Sequence, residues 1–169
     1  MKIDLSKLID RAVYKIDFVH SLDLDKVLTK TREIIMSSPV ETKGSIYMTD
    51  EGLYLDATVS YEYYENCARC LKEFVNKIET ALSGRLVENS KLSRKIDDEE
   101  LVFYYDNDEV ELVEQVLTSI LLSLPMKSLC DDNCKGLCLV CGKDLNKEEC
   151  NCNIQEIDPR LAKLKDLFD

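Results

Sequence analysis

Eight cysteines, six of them crowded between Cys130 and Cys152, constrain this chain more than any other feature. Thiols so close together are metal ligands first. Cys138-Leu139-Val140-Cys141-Gly142 has the form of a zinc knuckle, because two residues between the thiols let both sulfurs reach one tetrahedral ion. Gly142 suits the positive φ of the tight turn behind it. Cys150-Asn151-Cys152 can close that site around a short polar loop, Lys143 to Glu149. Cys67, Cys70, Cys130 and Cys134 remain, and together they would make a second four-thiolate site joining the middle of the chain to its end. Spacing alone leaves this second set open: Cys130 or Cys134 left free, or a single zinc with mixed ligands, also satisfies it.

Other cysteine chemistries fit less well. Cys134-x3-Cys138-x2-Cys141 matches the spacing of an iron–sulfur cluster that activates S-adenosylmethionine, but that chemistry needs a large barrel after the motif, and fewer than thirty residues follow. Disulfides belong to oxidising compartments, and Met1-Lys2-Ile3-Asp4 has neither the basic start nor the apolar stretch of an export signal. The expectation is a cytoplasmic protein, with no apolar run long enough to cross a bilayer. A thioredoxin-like role for Cys67-Ala68-Arg69-Cys70 needs a βαβ context, whereas the flanking pattern is strand, turn, strand.

Charge sharpens the partner question. The chain carries 22 basic and 33 acidic residues, a net of −11, which argues against wrapping by nucleic acid. Nine of those acids lie between Asp97 and Glu114 with no base among them. That run is either a solvated face or a docking face for a basic protein such as a ribosomal protein. Arg69, Lys72, Lys127, Lys135 and Lys143 are the candidate contacts near the thiols for RNA or a partner. Tyr61, Tyr63 and Tyr64 beside Arg69 and Lys72 offer a surface for base stacking, against the plainer reading that tyrosine is a good strand residue.

The remaining pattern gives the scaffold. Residues up to Ser37 drift between periods of two and three to four, with a short strand near the start and an undefined element after Leu22. His20, the only histidine, stands far from every cysteine pair and is expected to be structural. Alternating runs on either side of Asp50-Glu51-Gly52 predict a β-hairpin with one buried face. Phe74, Ile78, Leu82 and Leu86 suit a strand after the Cys67–Cys70 turn, and Leu101 to Tyr105 a brief apolar strand. Between them, Glu88 to Glu100 reads as a linker or mobile loop. Asp108 followed by Glu111 predicts a helix-capping box and an apolar helix over Glu109 to Leu124, stopped by Pro125. Asp158-Pro159 then opens a short terminal helix with Leu161, Leu164, Leu167 and Phe168 on one stripe. This organisation predicts an α+β domain over residues 1–125, with an antiparallel sheet, one main apolar helix and the Cys67–Cys70 turn. Residues 126–169 would form a cysteine-rich zinc-knuckle segment with the terminal helix.

No phosphate-binding glycine loop, His-Glu-x-x-His or nucleophile elbow is present, so a non-enzymatic role is expected. The alternative class is a redox or metal-handling protein using the two Cys-x-x-Cys pairs. Cys67-Ala68-Arg69-Cys70-Leu71, Leu124-Pro125, Leu129-Cys130, Cys134-Lys135-Gly136-Leu137-Cys138, Cys141-Gly142, Leu145-Asn146, Cys150-Asn151-Cys152 and Asp158-Pro159-Arg160-Leu161-Ala162, in that order, resemble the YceD family. These are the large ribosomal RNA subunit accumulation proteins of bacteria and plastids. The resemblance implies a small cytosolic metal-binding protein of gram-positive type, needed for synthesis, processing or stability of 23S rRNA and for assembly of the large ribosomal subunit. Its expected cofactor is zinc, one or two ions each held by four cysteines, and its expected partners are rRNA or ribosomal precursor particles. It implies no catalytic activity.

Overall fold

The computed structural model describes residues 1–28, 33–89 and 101–152. The expected terminal helix and most of the Glu88–Glu100 linker lie outside these residues. The chain forms two compact units: Met1–Glu65 with Phe74–Met126, and Asn66–Glu73 with the chain from Lys127 on. No described helix is long and apolar enough to cross a membrane.

The first unit is mostly β. Its centre is the expected hairpin, β5 (Val40–Thr49) against β6 (Gly52–Asn66), in antiparallel register from Glu41 opposite Ser60 to Thr49 opposite Gly52. Thr49 Oγ1 tightens the turn by donating to the Gly52 carbonyl at 2.9 Å. Along β6 every second residue is buried, namely Leu53, Leu55, Ala57, Val59, Tyr61 and Tyr63, which is the period of two that a strand with one packed face requires. β2 (Lys15–Leu22) pairs along the free side of β5. β3 (Lys26–Leu28) pairs with β4 (Glu33–Met36), and β4 continues onto the far end of β6. β7 (Glu73–Glu88) lies on the other side of β6, confirming a strand after the cysteine turn.

The short strand near the start and the one after Leu101 stand where expected, while the direction of the second and the strand at Glu109–Glu111 correct the sequence reading. β8 (Val102–Asp106) runs parallel to β7, from Arg85 opposite Val102 to Glu88 opposite Tyr105, so the sheet is not purely antiparallel. Side-chain alternation reports burial and is blind to strand direction. β9 (Glu109–Glu111) then turns back on β8 and pairs with β1 (Lys2–Asp4). Asn107 and Asp108 make this turn with φ of +48° and +60°. Two consecutive left-handed residues are the mark of a tight hairpin, which Asn and Asp tolerate better than most side chains. The expected capping box at Asp108 is therefore absent, and Glu109–Glu111 is strand with Val110 fully buried.

The main helix is correspondingly shorter. α1 is a single turn, Ser6–Ile9, while α2 spans Val113–Ser123 and buries Val116, Ser119 and Ile120. Its end comes where expected, because Leu124 takes the extended conformation that Pro125 imposes on its predecessor. Tyr61 fixes the helix to β6: its hydroxyl lies 2.8 Å from Ser123 Oγ and donates to the Ile120 carbonyl at 3.3 Å. Tyr61 and Tyr63 are 1% and 0% exposed, which removes both from any base-stacking surface and leaves Tyr64, at 46%.

Candidate metal centres

Both cysteine clusters are built within the second unit, and each starts from the same backbone turn. At Cys67, the Arg69 N–H donates to Sγ at 3.5 Å, the Leu71 N–H donates to the Cys67 carbonyl at 2.9 Å, and the Cys67 N–H donates to the Lys72 carbonyl at 2.9 Å. At Cys138 the pattern repeats at the same offsets. Val140 N–H reaches Sγ at 3.4 Å, Gly142 N–H the Cys138 carbonyl at 2.9 Å, and Cys138 N–H the Lys143 carbonyl at 2.8 Å. The turn must end in a left-handed residue. Gly142 supplies it with φ of +74°, and Leu71 takes the corresponding place with φ of +60°.

That difference is testable. Gly142→Ala, with open space around the added methyl, should lose about 1 kcal/mol from the left-handed strain alone. Leu71→Gly should instead gain a fraction of that, since Leu71 is 67% exposed and glycine's extra chain entropy offsets part of the relief. Urea midpoints of the two variants check both signs.

The turns bring the sulfurs together as two sets of four. Cys67, Cys70, Cys130 and Cys134 form one cluster, and Cys138, Cys141, Cys150 and Cys152 the other, with all Sγ atoms of a cluster within 4.8 Å of one another. In the first, Cys67 Sγ lies 3.8 Å from Cys134 Sγ and Cys70 Sγ 3.6 Å from Cys130 Sγ. A disulfide needs about 2.05 Å, so these are separate thiols. Four sulfurs about 2.3 Å from a tetrahedral zinc stand about 3.8 Å apart, close to the spacing of these two pairs. A set of four thiols is a soft donor set suited to zinc or iron, and unsuited to magnesium or calcium. The residues thus fit the metal that the spacing suggested, with the partition into two sets of four resolved by geometry. Cys134 falls in one cluster and Cys138 with Cys141 in the other, so the three-cysteine iron–sulfur reading has no single site to occupy.

Electrostatics points the same way. Backbone N–H groups, that of Cys130 foremost, draw the Cys67 thiol down to about 6, and those of Cys141 and Val140 do the same for Cys138, also to about 6. Burial, followed by the neighbouring thiols, pushes Cys130 up to about 12, and the Cys141 thiol and burial push Cys152 up to about 12. Cys70 and Cys150 are raised as well, so each cluster holds one thiol that ionises readily and two that resist, and a cation is what lets all four ionise together.

Around the first cluster, hydrogen bonds tie the Cys67–Cys70 turn to the C-terminal stretch. Ala68 N–H donates to the Ser128 carbonyl at 2.8 Å and Leu137 N–H to the Arg69 carbonyl at 3.1 Å. Arg69, a candidate contact for RNA, spends Nη1 on the carbonyls of Asp132 and Cys134, at 3.1 and 2.9 Å. Gly136, with φ of +77°, passes so close to Arg69 that a Cβ would stand 2.9 Å from its carbonyl oxygen. Lys72, Lys127, Lys135 and Lys143 are exposed, with Lys143 Nζ 3.4 Å from Glu148. The sequence reading missed Asn146 as a functional residue. Its amide donates to Cys134 Sγ at 3.4 Å while its Oδ1 accepts from the Lys135 N–H at 2.7 Å. A polar residue in a polar loop carries no signal of this until the loop is closed.

Fold and site together define a β-sheet protein with a pair of four-cysteine clusters. Residues 55–168 match the family model for large ribosomal RNA subunit accumulation protein YceD, and the chain belongs to that family. It is 28% identical over 118 residues to an uncharacterized protein of Mycobacterium tuberculosis, covering 70% of this chain and 56% of the relative. It therefore spans little more than half the length of that relative. YlbN of Bacillus subtilis is 26% identical over 153 residues, 90% of this chain and 87% of its own. The chloroplastic YCED homolog 1 of Arabidopsis thaliana, a large ribosomal RNA subunit accumulation protein, is 31% identical over 70 residues, 41% of this chain and 22% of its own. No solved structure matches.

Proposed function

We propose that this chain is a non-enzymatic factor that supports accumulation of 23S rRNA and assembly of the large ribosomal subunit in the cytoplasm, with one zinc ion in each cysteine cluster. The observation that carries the reading is that all eight cysteines fall within the span 55–168 matched to the rRNA accumulation family and divide into two four-sulfur sets. When bound, zinc supplies two closed anchors that hold the turns rigid. The chain's own groups do the rest. Lys72, Lys127 and Lys135 stand exposed near the clusters to meet phosphate, and Lys143 joins them when a phosphate displaces Glu148, since exposed ion pairs are weak. Arg69 serves chiefly to hold the first cluster through the Asp132 and Cys134 carbonyls. The acids from Asp97 to Glu114 discourage indiscriminate RNA binding and offer a face to a basic ribosomal protein.

Ultraviolet crosslinking of the tagged protein in its own cell, followed by sequencing of the attached RNA, tests this. Crosslinks should cluster on 23S rRNA or its precursor. Replacing Lys72, Lys127 and Lys135 together by glutamate should weaken them. It should also make RNA binding less sensitive to salt, the slope falling by about one for each phosphate that is no longer neutralised. Crosslinks absent from rRNA while ribosomal proteins still co-purify would replace the RNA partner with a protein one.

A further inference from the structure

We propose that Asn146 couples the two cysteine clusters, so that closure of the second cluster's loop sets how tightly the first holds its metal; this rests on the metal reading above. Asn146 lies between Cys141 and Cys150, in the loop whose two ends the second cluster gathers. Its side chain nevertheless serves the first cluster, donating from Nδ2 to Cys134 Sγ at 3.4 Å. The orientation of the amide is fixed by its other end, since Oδ1 must accept the Lys135 N–H at 2.7 Å and only Nδ2 is left for the sulfur. Asp144 Oδ1 holds the same residue from below, accepting from its backbone N–H at 3.0 Å and from Nδ2 at 2.8 Å. The backbone of the loop is pinned as well: Leu145 N–H donates to the Gly136 carbonyl at 2.9 Å, and Leu137 and Asp144 form an isolated bridge.

The chemistry makes this contact matter. Four thiolates around a divalent cation carry excess negative charge, and an N–H donor on one sulfur disperses it. Such outer partners of metal ligands are worth about 10–100-fold in metal affinity. The donor arrives only if its loop is closed, and the second cluster closes it. Coupling of this kind is reciprocal, so a loaded first cluster should also favour loading of the second.

The test uses the full chain loaded with zinc, titrated with a chromogenic chelator, with the cysteines released at each step identified by alkylation and mass spectrometry. Asn146→Asp keeps the acceptor for the Lys135 N–H, removes the donor to sulfur and adds a negative charge beside the thiolates. It should weaken zinc at Cys67, Cys70, Cys130 and Cys134 by about 10–100-fold, and Asn146→Ala should do the same. Cys150→Ser with Cys152→Ser, which opens the second cluster, should weaken the first in the parent chain and add little on top of Asn146→Ala. Two bound zinc ions whose affinities are untouched by either Asn146 substitution would overturn the coupling and leave the metal reading standing. A folded chain that binds no zinc would overturn both.

Discussion

Replacing Cys67 with serine should leave the chain with one zinc ion instead of two and unravel the joint between the middle of the sequence and its end. Cys67 is wholly buried, its sulfur lies 3.8 Å from that of Cys134, and its N–H, carbonyl and Sγ all organise the turn. Structural zinc contributes about 10–16 kcal/mol of apparent binding free energy in small four-ligand sites, comparable to the whole stability of a typical domain. A serine hydroxyl does not replace a thiolate in such a site. Hydrogen exchange should show the loss locally. The amides of Ala68 and Leu137, which donate to Ser128 and Arg69, should lose protection, while those of the β5–β6 hairpin in the other unit keep it. Retention of two ions and unchanged protection would mean that Cys67 is no ligand.

The second large effect separates core from surface among three tyrosines close in sequence. Tyr61→Ala should destabilise the first unit by about 3–5 kcal/mol, because a fully buried ring is lost together with the anchor of α2. Tyr61→Phe keeps the ring and removes only the hydroxyl's bonds to Ser123 and Ile120, for about 1 kcal/mol. Tyr64→Ala, at a position 46% exposed, should stay within about 0.5 kcal/mol. Urea unfolding followed by circular dichroism gives all three. Equal losses at Tyr61 and Tyr64 would contradict the placement of these side chains. Of these three, Tyr64 alone is exposed, so under the proposed RNA contact a change in crosslinking without a change in stability is to be sought there.

What could be read from the sequence was what depends on local spacing. The β5–β6 hairpin announces itself by alternation through Leu53, Leu55, Ala57, Val59, Tyr61 and Tyr63, and the stop at Leu124-Pro125 by the geometry proline forces on its neighbour. Cys138-x2-Cys141-Gly142 was readable because its glycine marks the left-handed end of the turn. The matching turn at Cys67 was harder to recognise as its twin, since Leu71 stands in that conformation without the residue type that advertises it. Two other features were hidden by competition between local signals. Asn107-Asp108 specifies a tight hairpin and Asp108 with Glu111 a capping box, and the strand won because Val110 is buried between β1 and β8. The roles of Arg69 and Asn146 were hidden for a different reason. Both act across long stretches of chain, on Asp132 and Cys134 in one case and on Cys134 in the other, and nothing in a short window shows the carbonyl or sulfur that a side chain will reach.

Native mass spectrometry of the purified chain, combined with thiol alkylation before and after chelation, is the direct test for two four-thiolate zinc centres. The mass should carry two zinc ions, with eight thiols shielded until the zinc is withdrawn and all eight alkylated afterwards. Iron in place of zinc, a metal-free folded chain with reactive thiols, or disulfides within the Cys67–Cys70 or Cys138–Cys141 pairs would contradict it.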